Sequence, residues 1–207
     1  MPCKRLCAIF SLVCSIAAGC FSLEPKPDPS RFFALTSLPR AGGKAQDGVG
    51  ANAVALGIGP IKFPGYLDRQ QFVTRISQNR FAIAENDRWA EPLDENFTRV
   101  LAQNISILLP TDRIVTYPWE RNQQPTYQVQ MEVLRFEPNG DGVVELSARW
   151  SIMDNAKKTL RVSESSLTQP ARDKSTEASV VSMSQVVSEL SKEIAANIRA
   201  LPVAQGR

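Results

Sequence analysis

Residues 126–154 read TYQVQMEVLRFEPNGDGVVELSARWSIMD. In the first half Tyr127, Val129, Met131 and Val133 alternate with Gln128, Gln130 and Glu132. In the second, Val144, Leu146, Ala148, Trp150 and Ile152 alternate with Glu145, Ser147, Arg149 and Ser151. A period of two places all apolar side chains of a strand on one face. Asn139-Gly140-Asp141-Gly142 supplies the residue types that a tight hairpin turn requires. The stretch therefore predicts two antiparallel strands with one buried and one wet face. At Val133-Leu134 the alternation changes phase, which predicts a bulge or a strong twist.

Downstream, Thr159–Leu167 extends the meander as a third antiparallel strand. From Thr176 to Leu201 the period becomes helical: Val180, Met183, Val187, Leu190, Ile194, Ile198 and Leu201 form one stripe. Ser175 stands at the N-cap position and Arg199 at the end where positive charge is favoured. Upstream, Arg113–Tyr117 reads as a short strand. A second helix is predicted from Pro92 to Leu109, with Leu93, Phe97, Val100, Leu101, Ile105 and Leu108 on one stripe and Pro110 as its stop. Gln71–Ile76 and Phe81–Glu85 read as a hairpin, preceded by a Pro64-Gly65 turn. Ala53–Ile61 is an apolar run typical of a buried strand. Its Gly57-x-Gly59 is not a dinucleotide fingerprint, because Pro60 follows at once and no helix opens there. Residues 40–52 are a Gly-rich polar loop, and Phe32–Thr36 a first short strand. The expected fold is α/β: a single domain, a mixed, largely antiparallel sheet packed by two long amphipathic helices.

The N-terminus has its own logic. Lys4 and Arg5 precede an uncharged apolar run from Leu6 to Ala18, and Ile16-Ala17-Ala18-Gly19-Cys20 follows. A run of about 13 residues is too short to span a bilayer and reads as a signal peptide. Small residues before the cut and a cysteine after it are the pattern of a bacterial lipoprotein signal, with the Cys20 thiol taking the diacylglyceryl group. Ala17 departs from the leucine usual at that place. The competing reading is a plain secretory signal cut after Ala18 or Gly19. Pro25, Pro27 and Pro29 alternate with polar residues and favour an extended polyproline tether. The organisation expected is a signal peptide at 1–19, a lipidated cysteine and tether at 20–31, one domain at 32–202 and a tail at 203–207.

Composition excludes several chemistries. The chain has no histidine, and Cys3, Cys7 and Cys14 all lie in the signal. Ser-His-Asp and Cys-His catalysis, imidazole or thiolate zinc sites and haem ligation therefore lack their side chains in the processed chain. The formal charge of +3 falls close to neutral once Lys4 and Arg5 are removed, which argues against nucleic acid as a partner.

The most distinctive blocks are Gly59-Pro60, Pro64, Tyr66-Leu67-Asp68-Arg69, Val73-Thr74-Arg75 and Asp87-Arg88-Trp89-Ala90-Glu91-Pro92-Leu93, with Phe97 and Leu101 beyond. With Phe32-Phe33-Ala34-Leu35 they carry a resemblance over nearly the whole mature chain. The sequence resembles the ABC-type transport auxiliary lipoprotein family, PqiC type, which accompanies the paraquat-inducible MCE transport system. A proline is frequent in that family where Gln70 stands here. The resemblance implies a non-enzymatic lipoprotein on the periplasmic face of the outer membrane. It would dock an MCE-domain protein of the inner membrane, in a system that moves lipids and supports membrane integrity. It further implies a covalent lipid on Cys20 (palmitate among its acyl chains), no other cofactor, and permits homo-oligomers.

For the sites themselves, Tyr66, Leu67, Asp68 and Arg69 follow a turn and contain residue types favoured at interfaces. The plainer reading is a local turn with an Asp68 cap and an Arg69 ion pair. Arg88 and Trp89 form either a surface anchor for a partner or, for Trp89, packing against the sheet. No catalytic or metal site is assigned; Asp87, Glu91, Asp94 and Glu95 read as a solvated helix N-terminus. Asn96-Phe97-Thr98 and Asn104-Ile105-Ser106 match a glycosylation pattern by chance. Two alternatives from other classes stand beside this reading. One is a periplasmic lipid carrier with its own acyl-chain pocket, which needs a dry cavity of roughly 300 Å³ or more. The other is a carboxylate-based glycan hydrolase, which needs two acids facing each other across a cleft.

Overall fold

The computed structural model describes residues 27–40, 55–109, 111, 113–120 and 122–201. The expected signal peptide, Cys20, the front of the expected tether, most of the Gly-rich stretch, Pro110 and the C-terminal residues 202–207 lie outside the described residues.

In chain order the elements are β1 (Arg31–Phe33), β2 (Leu56–Lys62), a single 3₁₀ turn (Gly65–Leu67), β3 (Gln71–Ser77) and β4 (Arg80–Trp89). Then come α1 (Leu93–Leu108), β5 (Ile114–Thr116), β6 (Tyr127–Pro138), β7 (Val143–Asp154), β8 (Thr159–Pro170) and α2 (Thr176–Arg199). The α/β class and the two long helices are as the sequence predicts. The strands, however, divide into two sheets: a five-stranded one in the order β5-β2-β6-β7-β8 and a three-stranded one in the order β1-β4-β3.

The β6–β7–β8 meander is antiparallel throughout. The expected irregularity is present: Val133 faces Ala148, but Arg135 faces Ser147, so Leu134 is the extra residue of a bulge. Asn139 closes the turn, its side-chain oxygen accepting from Asp141 N at 2.9 Å and Val143 N at 3.0 Å. β2 lies between β5 and β6 and pairs with both in parallel. Gly59, at φ 109°, leaves space for Tyr117: a Cβ there would come within 2.9 Å of the Tyr117 Cβ. The close approach of residue 117, not a bound nucleotide, accounts for this glycine.

Both helices pack on one face of the large sheet. Leu56, Ile58, Val129, Met131, Leu146, Trp150 and Ile152 meet Phe97, Leu101 and Ile105 of α1 and Met183, Val187, Leu190 and Ile194 of α2 in one cluster. Each fully buried side chain of this kind is worth about 1.5–3 kcal/mol. Ser175 caps α2, its hydroxyl accepting from Ala178 N at 3.1 Å. Between the helices runs the extended segment after β1. Asn96 Oδ1 accepts from Leu35 N at 2.6 Å, Ser184 Oγ from Thr36 N at 3.1 Å and Asn104 Oδ1 from Leu38 N at 2.7 Å. Asn96 and Asn104, the asparagines of the two chance glycosylation matches, are fully buried by this task.

The small sheet stands at the turn end of the β6–β7 hairpin, where Arg75 of β3 bridges to Asn139. Its register is broken: Gln71 pairs with Arg88 but Val73 with Ile83, so β4 bends between them.

Candidate functional site

Pro64 and Gly65 open the 3₁₀ turn, and Leu67 N closes on the Pro64 carbonyl at 2.9 Å. The tight turn throws successive side chains in different directions. Leu67 points inward and is 4% exposed. Tyr66 stacks on Phe81 with ring centroids 4.6 Å apart. Its hydroxyl donates to Glu137 Oε2 at 2.7 Å. Asp68 and Arg69 face solvent.

Glu137 is the hub beneath this turn. Its side chain is 1% exposed. It accepts from Arg75 Nε at 2.6 Å, from Phe136 N at 2.9 Å and, more distantly, from Arg135 Nε at 3.4 Å. Arg135 also binds Glu145 at 2.8 Å. A buried carboxylate is tolerated only when such partners replace its hydration. The Arg75 guanidinium lies over the Phe81 ring at 4.3 Å. Burial first, then the hydrogen bond and charge of Glu137, push the Tyr66 phenol well above its ordinary pKa, so it stays a donor. Burial works against the Arg75 charge, but Glu137 outweighs it and holds the guanidinium more firmly protonated.

Arg69 meets a backbone carbonyl rather than the expected carboxylate: its Nε donates to Tyr66 O at 2.9 Å. The two distinctive blocks do lie side by side, because Trp89 N donates to Gln70 O at 2.7 Å and Gln71 faces Arg88. Not every residue of these blocks is outward, however. Trp89 is 4% exposed and packs on Phe72 at 5.4 Å, so it and Leu67 are core residues and not anchors displayed to a partner. Arg88 is partly exposed on the opposite face of β4, opposite Phe32 of β1. Its Nε has no hydrogen-bond partner among the described residues. Asp87 turns inward, held by Arg31 at 2.7 and 2.8 Å and by the Thr176 hydroxyl of α2.

Most of the acids near the site have partners in the fold, while Asp68 and Asp94 both line the hollow between the 3₁₀ turn and α1. Asp87 and Glu137 are each engaged by arginine and a hydroxyl, Glu91 binds Arg99 and Asn96, and Asp94 and Glu95 stand exposed in the first turn of α1. Among the described residues no cluster of three or more potential metal ligands occurs.

Two hollows flank the N-terminal end of α1. One, of about 290 Å³, lies between the Tyr66–Arg69 turn and Pro92-Leu93-Asp94. The other, of about 580 Å³, runs along α1 beside Pro60, Ile61 and Tyr117. The second exceeds the volume an acyl chain needs, but Asp94, Glu95 and Arg99 line it, so it is not dry.

The sequence did not single out Glu137, and it marked Arg75 only as part of the Val73-Thr74-Arg75 block, with no site role. One signal was available: a hairpin closed by Asn139 sets Glu137 opposite Glu145, and like charges directly across strands are unfavourable without a cation. Arg135 was adjacent; Arg75 could not be foreseen, because it arrives from the other sheet.

A family model for the ABC-type transport auxiliary lipoprotein component matches residues 35–195. The chain belongs to this family. Within it, the chain is similar to the intermembrane transport lipoprotein PqiC of Escherichia coli (strain K12) and of Shigella flexneri, at 30% identity over 90 residues in each case. That match covers 44% of this auxiliary lipoprotein and 46% of each relative, so it spans about half the length of the curated relatives it matches. A crystal structure of an uncharacterized protein has a TM-score of 0.67 at 21% identity, over 82% of this chain and 98% of that one. A crystal structure of a Xanthomonas campestris protein has a TM-score of 0.65 at 11% identity, over 82% and 94%. These two likenesses concern the fold alone. Among the described residues of this auxiliary lipoprotein, no helix is long and apolar enough to cross a membrane.

Proposed function

We infer that this auxiliary lipoprotein is a non-catalytic docking component of an MCE/ABC-type intermembrane lipid transport system. Cys20 carries the lipid anchor, the proline tether gives reach, and the domain holds an inner-membrane MCE-domain protein at the periplasmic face of the outer membrane. The observation that carries this reading is the family match across 35–195, over a domain whose two buried carboxylates are bound by arginines. Acids engaged in this way tie strands and helices together. A single acyl chain holds a protein to a bilayer only marginally, so the reading requires the several chains of a lipoprotein anchor. Self-association into a ring around the partner is compatible with it.

The test is fractionation of cells expressing the full chain and its Cys20→Ser variant. The wild-type chain is expected in the outer-membrane fraction with the MCE-domain protein recovered on affinity capture, and the variant in the soluble periplasm. Sedimentation of the variant with the outer membrane sinks the anchor. Turnover of an envelope glycan by the purified domain, abolished by replacing one acidic residue, sinks the non-catalytic role.

A further inference from the structure

The two hollows beside α1 adjoin at Asp94, which lines both, and we take the pair together as a furrow across the start of the helix. The larger has Ile61 and Ala102 in its lining and the half-exposed Tyr117 at its side; the smaller has Phe63, Leu67 and Leu93. β5, the outer strand of the large sheet, leads into Tyr117.

The rim is electrically lopsided. Asp68, Asp94 and Glu95 are exposed, and none makes an ion pair among the described residues. Of the two arginines beside them, Arg99 is paired with Glu91, and Arg69, whose Nε donates to the Tyr66 carbonyl, offsets only one of the three carboxylates. A helix N-terminus carries about half a positive charge, which the two carboxylates of the first turn more than cancel. The furrow thus offers apolar contact under a negative field. An anionic headgroup entering the larger hollow would meet Asp94 and Glu95, with the Arg99 charge there already matched by Glu91. A peptide that alternates apolar and basic side chains would have its apolar groups buried and its charges matched.

We propose that this furrow is the docking site for an extended partner segment bearing apolar side chains interleaved with lysine or arginine. The proposal rests on the docking role above and locates the surface that performs it. The sites marked out by the sequence contribute Leu67, Asp68 and Arg69 to its near end, whereas Tyr66, Arg88 and Trp89 line neither hollow.

The experiment uses the detergent-extracted full chain and its co-expressed MCE-domain protein, with affinity measured as salt is varied. Asp94→Lys with Glu95→Lys is expected to weaken binding about tenfold or more, and Asp94→Asn with Glu95→Gln about threefold. Both replaced residues are exposed, and the neutral pair guards against a helix disturbed by charge reversal. Glu164→Lys, on the outer face of the large sheet, should change affinity less than about twofold. A photo-crosslinker at Gln103 should attach to a basic, apolar peptide of the MCE-domain protein. Unchanged affinity in both Asp94/Glu95 variants, or crosslinks from Gln103 to a second copy or to lipid, overturns the furrow while leaving the docking role standing. If the wild-type chain retains no MCE-domain protein at all, the docking role falls and the furrow proposal falls with it.

Discussion

Along β7, and along β6 as far as its bulge, the buried positions are apolar and regularly spaced, and the register runs with that one break from Tyr127 to Pro138. In the small sheet the register breaks within a few residues, and its fixing points are ionic: Arg31–Asp87–Thr176 at one end, Tyr66–Arg75–Glu137 at the other. The first region is held by area removed from water, which tolerates shape changes and extends over many residues. The second adds to the apolar anchorage of Phe72, Val73 and Trp89 a few directional bonds, which are sensitive because a buried charge that loses its partner is left uncompensated. A domain built this way has a body that resists change and a smaller part whose attachment can be altered by single residues.

The largest perturbation should strike the body. Phe97 is fully buried, edge-on to Phe63 and Phe136 at 5.2 Å from each. Phe97→Ala is expected to cost about 3–5 kcal/mol in urea unfolding, with both sheets lost in one transition. Glu137→Ala should come next. Its arginine partners are partly exposed, so about 2–4 kcal/mol is expected, below the value for a wholly buried pair. Hydrogen exchange should then rise first in β3 and β4; an equal rise across β6–β8 would break the comparison. Tyr66→Phe removes one hydrogen bond to a charged group, for about 1.5–3 kcal/mol before solvent exposure reduces it. The folded-state pKa of this phenol is raised, so its contribution is complete below the ordinary value of 10 and is lost as pH rises through the higher folded value. The wild-type chain should lose stability above pH 10 by this route, and Tyr66→Phe should lack that component of the alkaline decline. The smallest effect belongs to Arg149→Ala. Its pair with Glu164 is exposed on both sides, and a change within about 0.5 kcal/mol in the same titration is expected.

The large sheet was legible because its information is local. A period of two, a turn sequence and a phase slip at Leu134 are all contained in residues 126–154, and Ser175 announces the start of α2 within four residues of its first buried side chains. The parallel placement of β2 between β5 and β6 was not legible, since such pairings join segments far apart in sequence and leave no local pattern. The division into two sheets was hidden for the same reason. β4 was expected to stop near Glu85, yet it continues to Trp89, because β1 supplies hydrogen-bond partners that its own composition does not announce. At the candidate site, Tyr66 and Arg69 could be singled out by residue type. Glu137 offered only the weaker signal of its place opposite Glu145, because its burial depends on a cation brought from β3.

The segment behind β1 is gripped at Leu35, Thr36 and Leu38 by side chains from both helices. Whatever tugs on the leading end of the chain is therefore felt by α1 and α2 together, the load being shared at several points before it reaches the greasy interior. The polypeptide enters its own body like a rope passed between two posts and tied to each, so a moving attachment at the front would strain the knots before it prised the posts apart.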